Sequence, residues 1–276
     1  MDADRKQRVA ALFSLISADY DQGTVDFFST FGAALVEFAE LRAGERVLDV
    51  GCGRGAVTFP AAEAVGDDGH VEAIDIAPGM VDALRADVQR LGLRNVDVRI
   101  GDAEAPGVAD GVDAVLASLV LFFLPDLEAA LRAFRSALRP GGRLAFTTFG
   151  PTGEAWTAIE QRIAAFLPDG HPLKDGAGRP QTGPLASEPA IRAVLDECGY
   201  ADVVVEERGY AVRYGTGQDF VRWSHSTGLR AIWDAIPADR KAEAEQQVAA
   251  MADALRGDDG DLTEPVRIVL TRAVSP

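Results

Sequence analysis

Residues 47–55 read Val-Leu-Asp-Val-Gly-Cys-Gly-Arg-Gly, which brings a carboxylate and a glycine turn together. Val47, Leu48 and Val50 form the short apolar run of a buried parallel strand. Asp49 interrupts that run, and a carboxylate there is costly without a partner. Gly51, Gly53 and Gly55 follow at alternate positions, where the backbone can take positive φ and approach a ligand closely. A buried strand that carries an acid and opens into glycines is a site for a small molecule.

Two ligands suit such a turn. Gly51-x-Gly53-x-x-Ala56 fits the dinucleotide fingerprint, with Asp75 at the end of the next strand, His70–Asp75, as the acidic residue further on. A dinucleotide would set its pyrophosphate against Asp49. S-adenosylmethionine (SAM) instead carries an ammonium and a sulfonium, and both favour a carboxylate. Further stretches follow in order. Gly101-Asp102-Ala103-Glu104 comes after the strand Val96–Ile100, Val112–Ser118 reads as a fourth strand, and Leu138–Leu144 reads as the turn before a fifth. In order and spacing these stretches resemble the motifs of the class I SAM-dependent methyltransferases, most strongly over residues 40–150. Asp19-Tyr20-Asp21 resembles the N-terminal segment of the ubiquinone and menaquinone methyltransferases, a subgroup that acts on small molecules.

The resemblance implies SAM as cofactor and S-adenosylhomocysteine (SAH) as its product. It places Asp49, Gly51, Cys52 and Gly53 at the methionine end and Asp75 on the ribose hydroxyls. Ile76 and Met80 would flank the adenine, Asp102 and Ala103 would meet it, and Ser118 would help to hold the amino group. Tyr20 would close over the site.

These residues need a frame that sets them side by side. Strands alternate with helix candidates at Ala56–Val65, Gly79–Leu91 and Leu127–Leu138, which means βαβ units on a parallel sheet. Ligands bind such sheets at the carboxyl ends of the strands, where Asp49, Asp75, Asp102 and Ser118 all fall. The expected fold is α/β, a doubly wound, seven-stranded, mostly parallel sheet with an antiparallel last strand and a helical lid. Its divisions are an N-terminal helical lid segment over 1–40 and a core over 41–212 with a loop-rich excursion at 151–187. A helical insertion over 213–262 forms the substrate lid, and the last core strand lies in 263–276. The proline-rich stretch 168–189 reads as a loop, and Ala190–Cys198 as a helix.

Methyl transfer from sulfonium needs mainly proximity, orientation and a dry site. A base is needed only where the acceptor must lose a proton. His225, within the lid, is the candidate for that role. Trp223 could line an aromatic pocket or form the lid's own core. Arg230, with Arg213 and Arg222 nearby, could clamp a substrate carboxylate or pair with the chain's own acids. Phe122 and Phe123 follow the fourth strand, where the resemblance places residues facing the acceptor, and they suggest an apolar or aromatic one. The expected activity is O-methylation of a secondary metabolite; C-methylation of a quinone and methylation of a carboxylate or peptide remain open. A SAM-binding protein that transfers no methyl group, a cyclase or a regulator, is the alternative.

The chain has 43 acidic residues against 27 lysines and arginines, for a net charge of −16. That argues against nucleic acid and anionic membrane as partners. Cys52 and Cys198 have no metal-ligand spacing and suggest no disulfide scaffold. The N-terminus lacks a signal peptide's pattern, and no apolar run is long enough to span a bilayer. The expectation is a cytoplasmic monomer or homodimer that binds a small-molecule acceptor and no metal.

Overall fold

Val47, Leu48 and Val50 are each at most 1% exposed in β1 (Arg46–Val50), the middle of a sheet covered on both faces. The computed structural model describes residues 2–21, 25–108, 111–174 and 183–276. Its other strands are β2 (His70–Asp75), β3 (Val96–Ile100), β4 (Val112–Ser118), β5 (Leu138–Phe149), β6 (Ala201–Tyr214) and β7 (Leu262–Val274). They form one seven-stranded sheet in the order β3-β2-β1-β4-β5-β7-β6. The pairings among β1 to β5 are parallel, and β7 runs antiparallel to both of its neighbours. The strand order turns back between β1 and β4, and in open α/β sheets that switch point is where ligands bind.

Alternate residues of the strands feed two apolar layers. Val47, Leu116 and Ala145 face α2 (Phe28–Ala39), α3 (Thr58–Val65) and α4 (Pro78–Leu91). Leu48, Val115, Leu144 and Phe146 face α5 (Leu127–Ala137) and α7 (Glu188–Glu197). α1 (Asp2–Ile16) packs on α4. Four helices, α6 (Glu154–Ala165), α8 (Gly217–His225), α9 (Arg230–Ala235) and α10 (Lys241–Asp253), pack on one another and continue the apolar layer of α2. Trp233 is fully buried among them, and its indole N–H donates to Ser224 Oγ at 2.8 Å.

Two segments differ from the sequence expectation. α6 stands inside the stretch expected to be loop-rich, because Trp156, Ile159 and Ile163 recur at helical spacing and all three are buried. Pro189 lies in the first turn of α7, where its missing N–H is harmless, and Ser187 caps that helix by accepting from Ala190 N. Residues 175–182 of the proline-rich stretch lie outside the described residues. Among the described residues no helix is long and apolar enough to cross a membrane.

One ion pair fastens the sheet's amino-terminal side. Arg143 Nη2 and Nη1 meet the two carboxylate oxygens of Glu45 at 2.5 and 3.0 Å, and Arg143 also donates to the carbonyls of Ala39 and Glu40 at the end of α2. Both side chains are largely buried, and removing one partner leaves the other charge stranded. Glu45→Ala is expected to destabilise the protein by about 3 kcal/mol, read by denaturant unfolding, with cofactor affinity per folded molecule unchanged.

Candidate active site

The glycine turn after β1 is held by the neighbouring strand. Gly51 N and Cys52 N both donate to the Ile74 carbonyl of β2, at 2.8 and 3.0 Å. Gly51 sits at φ +67°, and a Cβ there would come within 2.4 Å of Val120 Cγ2. Gly53, at φ +51°, is different: the nearest atom to its missing Cβ is Tyr20 Cε1 at 3.9 Å, so its open side faces space. Gly53 N donates to Asp75 Oδ2 at 3.0 Å, and Ala77 N donates to Asp75 Oδ1 at 2.8 Å. One carboxylate therefore braces the turn and the start of α4 together.

These residues enclose a cleft of about 110 Å³ at the switch point. Of the expected cofactor residues, Tyr20, Gly51, Gly53, Asp75, Ile76, Met80, Asp102, Ala103 and Ser118 line it. Asp49 and Cys52 lie just beneath, 1% and 4% exposed. Asp49 Oδ2 accepts from Thr58 Oγ1 at 2.6 Å, while Asp49 Oδ1 is buried with no hydrogen-bond partner. Burial pushes the Asp49 carboxyl up to about 7, against the pull of the Thr58 hydrogen bond. Burial also raises Asp75, with the N–H groups of Ala77 and Gly53 opposing. Both acids suit a ligand that brings positive charge, and the orphaned Asp49 oxygen has room in its hydrogen bonding for one more donor. The residues present therefore fit the ammonium and ribose of SAM.

Several lining residues were missed from the sequence. Lys6, Val9 and Phe13 come from α1, which lies across the cleft. Lys6 Nζ meets Asp102 Oδ2 at 2.7 Å and Glu104 Oε2 at 2.5 Å. Gly79 N donates to Ser14 Oγ, and Arg54 donates to the Ser17 carbonyl, so α1 is pinned along its length. Leu119 is a leucine at φ +56°, a backbone strain of roughly 1–2 kcal/mol. Its N–H is held by the hydroxyl of Thr147, which also bonds Ser118 Oγ.

A second space of about 370 Å³ adjoins the cleft. The two share Phe13, Tyr20, Leu119 and Phe123 as a common wall. The larger space is lined by Phe27, Phe28, Phe122, Phe149 and Trp223 as well, with Glu160, Thr227 and aliphatic residues such as Leu229 and Ile232. Phe122, Phe123 and Trp223, the expected acceptor-facing residues, are all in its lining. Tyr20 stacks on Phe28 with ring centres 4.6 Å apart, and burial raises its hydroxyl well above the usual tyrosine value. It stays a hydrogen-bond donor at neutral pH.

His225 and Arg230 are placed elsewhere. The His225 ring stacks on Trp233 at 4.7 Å, and its Nε2 lies 3.1 Å from Glu245 Oε1. Burial lowers its pKa in spite of that carboxylate. Arg230 Nε pairs with Asp234 at 2.9 Å, one turn along α9. Arg213 and Arg222 pair with Asp261 and Asp219. Each of these side chains is engaged with a neighbour outside the two spaces, and the described lining of the larger one includes no lysine, arginine or histidine.

Residues 47–142 match the family model described as "Methyltransferase domain". The chain is 40% identical over 211 residues to aklanonic acid methyltransferase DauC of Streptomyces sp. (strain C5), covering 72% of this chain and 94% of that protein. It belongs to the class I SAM-dependent methyltransferases. Nocamycin O-methyltransferase of Saccharothrix syringae is 34% identical, over 84% of this chain and 86% of that one. The structure of the YcgJ protein from Bacillus subtilis shares the fold at a TM-score of 0.58 and 18% identity, covering 89% of this chain and 97% of that one. As a member of this family the protein uses SAM as its methyl donor. Among the described residues there is no group of three or more His, Cys, Asp or Glu that could hold a metal ion.

Proposed function

We propose that this methyltransferase transfers the methyl group of SAM to an oxygen of a small, apolar, aromatic acceptor. The observation that carries this reading is the aromatic cavity that opens off the cofactor cleft across Phe13, Tyr20, Leu119 and Phe123. Its volume, about 370 Å³, falls in the range of roughly 300–1,000 Å³ usual for small-molecule sites. When bound, SAM supplies a methyl group already activated by positive sulfur. The chain's own residues position the acceptor and exclude water. The shared wall offers no base at neutral pH, since the Tyr20 hydroxyl is held protonated. An acceptor oxygen acidic enough to arrive ionised suits this wall best, and the Tyr20 O–H can donate to it. The names of the two relatives, one for an acid and one for O-methylation, agree with an oxygen acceptor.

The cleft is smaller than ligand sites usually are, and α1 forms its outer wall. Cofactor entry therefore requires α1 to yield, beginning with the hold of Lys6 on Asp102.

Trp223→Ala tests the acceptor cavity. Loss of an aromatic wall is expected to raise KM for an apolar phenol or aromatic acid about three- to tenfold. SAH affinity should change less than about twofold, since Trp223 does not line the cleft. Turnover with methyl-labelled SAM, followed by NMR of the product, places the label in an O-methyl group. A C-methyl product, or an unchanged KM in the variant, would overturn the reading.

A further inference from the structure

Beyond the Phe122 and Phe149 wall of the acceptor cavity lies another space of about 360 Å³ that the reaction as described does not use. It is lined by Arg5, Leu121, Phe122, Leu124, Pro125, Leu127, Thr148, Phe149, Pro184 and Leu185. Two of these residues bring hydrogen-bond donors. Thr148 is 3% exposed, and its hydroxyl is buried with no hydrogen-bond partner. An unmet buried hydroxyl costs about 1–3 kcal/mol, so its wall position is retained against stability. Arg5 stands at the exposed rim. It gives one hydrogen bond, from Nη2 to the Phe122 carbonyl at 3.2 Å, and makes no ion pair with a described residue. A guanidinium has five N–H donors, so most of this one's are unused. In a chain of net charge −16, an arginine that pairs with no described acid is available to an anion from outside.

The Phe122 and Phe149 rings, 5.8 Å apart and tilted by 33°, belong to both spaces. The second space therefore adjoins the aromatic cavity across these two rings. We propose that this second space binds a carboxylate-bearing arm of the acceptor, with Arg5 meeting the acid and Thr148 donating to an oxygen of the same arm. The inference rests on the reading of the aromatic cavity as the acceptor site. It makes the acceptor larger than a single ring, with one oxygen toward the methyl donor and an acid at the remote end.

The test uses the full chain saturated with SAH and two probes, biphenyl-4-carboxylate and biphenyl, with binding read by ligand-observed NMR. The acid is expected to bind at least about tenfold more tightly than the hydrocarbon. Arg5→Ala should erase that preference, Arg5→Lys should keep most of it, and Thr148→Val should weaken the acid about threefold. SAH affinity of these variants should match the parent, the Arg5 variants should unfold as the parent does, and Thr148→Val should unfold at the same or a higher temperature, which separates a site from a folding defect. Trp223→Ala should weaken both probes alike. If Arg5→Ala and Thr148→Val leave the acid's affinity unchanged while Trp223→Ala lowers it, the inference fails and the acceptor cavity stands. If Trp223→Ala is silent and the Arg5 variants are not, the space is not an arm of the acceptor site and both readings fall. Absence of any preference for the acid overturns the inference outright.

Discussion

Asp75→Ala is expected to weaken SAH binding at least about tenfold, or roughly 1.4 kcal/mol. The carboxylate sits at the carboxyl end of β2, lines the cleft, and has both oxygens fixed by the N–H groups of Gly53 and Ala77. Those two bonds leave lone pairs for ribose hydroxyls, and a charged acceptor makes such bonds stronger than neutral ones. The alanine variant also releases the turn, so part of its loss is loss of preorganisation. Asp75→Asn keeps one oxygen for Ala77 N but sets its NH2 against the Gly53 N–H, so it loses both the charge and the brace on the turn and should also lose most of the affinity. Calorimetry with SAH checks both variants, and parent-like binding in either would remove Asp75 from the ribose.

Asp49→Asn should have opposite effects on stability and on binding. In the unfolded chain this carboxyl ionises near its ordinary value of 3.8, whereas in the folded protein burial pushes it up to about 7. Between those values the folded state holds a proton that the unfolded state has lost. Asp49 therefore makes the protein less stable as pH rises from about 4 to 7, and its contribution is constant above that. The amide cannot ionise, so the variant without cofactor should unfold at a higher temperature than the parent at pH 8. Binding runs the other way, because a cationic ligand favours the ionised carboxylate. SAM affinity of the parent should rise from pH 6 to pH 8, with a proton released on binding below pH 7. Asp49→Asn should abolish that dependence and bind SAM at least about tenfold more weakly at pH 8. Calorimetry in buffers of different ionisation enthalpy reads the proton directly. A flat pH profile in the parent, or a retained slope in the variant, would refute the assignment.

The proposed cofactor acids were legible because they stand at or near the carboxyl ends of strands: Asp49 interrupts β1 one residue before its end, Asp75 closes β2, and Asp102 follows β3, while Ser118 closes β4. Parallel pairing then places these ends side by side. What covers the cleft could not be read the same way. Lys6 reaches Asp102 only because α1 folds back over the sheet, and nothing local to residues 1–16 encodes that docking. Leu119 was invisible for another reason: its positive φ is imposed by Thr147 on the neighbouring strand, and leucine is not a residue that advertises such a conformation. His225 was chosen for its chemistry alone. Its partners Trp233 and Glu245 come from α9 and α10, and the ring is held between them, outside the lining of the aromatic cavity. α6 was legible in principle, since Trp156, Ile159 and Ile163 have helical spacing, but the prolines that follow drew the whole stretch into a loop reading.

The most direct measurement is a crystal structure of the protein with SAH. The account predicts the ribose on Asp75, the adenine beside Asp102 and Ala103 with Lys6 displaced, and the amino group near Asp49. It also predicts the sulfur facing Tyr20, Leu119 and Phe123, so that a methyl group there would point into the aromatic cavity. A sulfur directed away from that shared wall, or a ribose that does not touch Asp75, would contradict it.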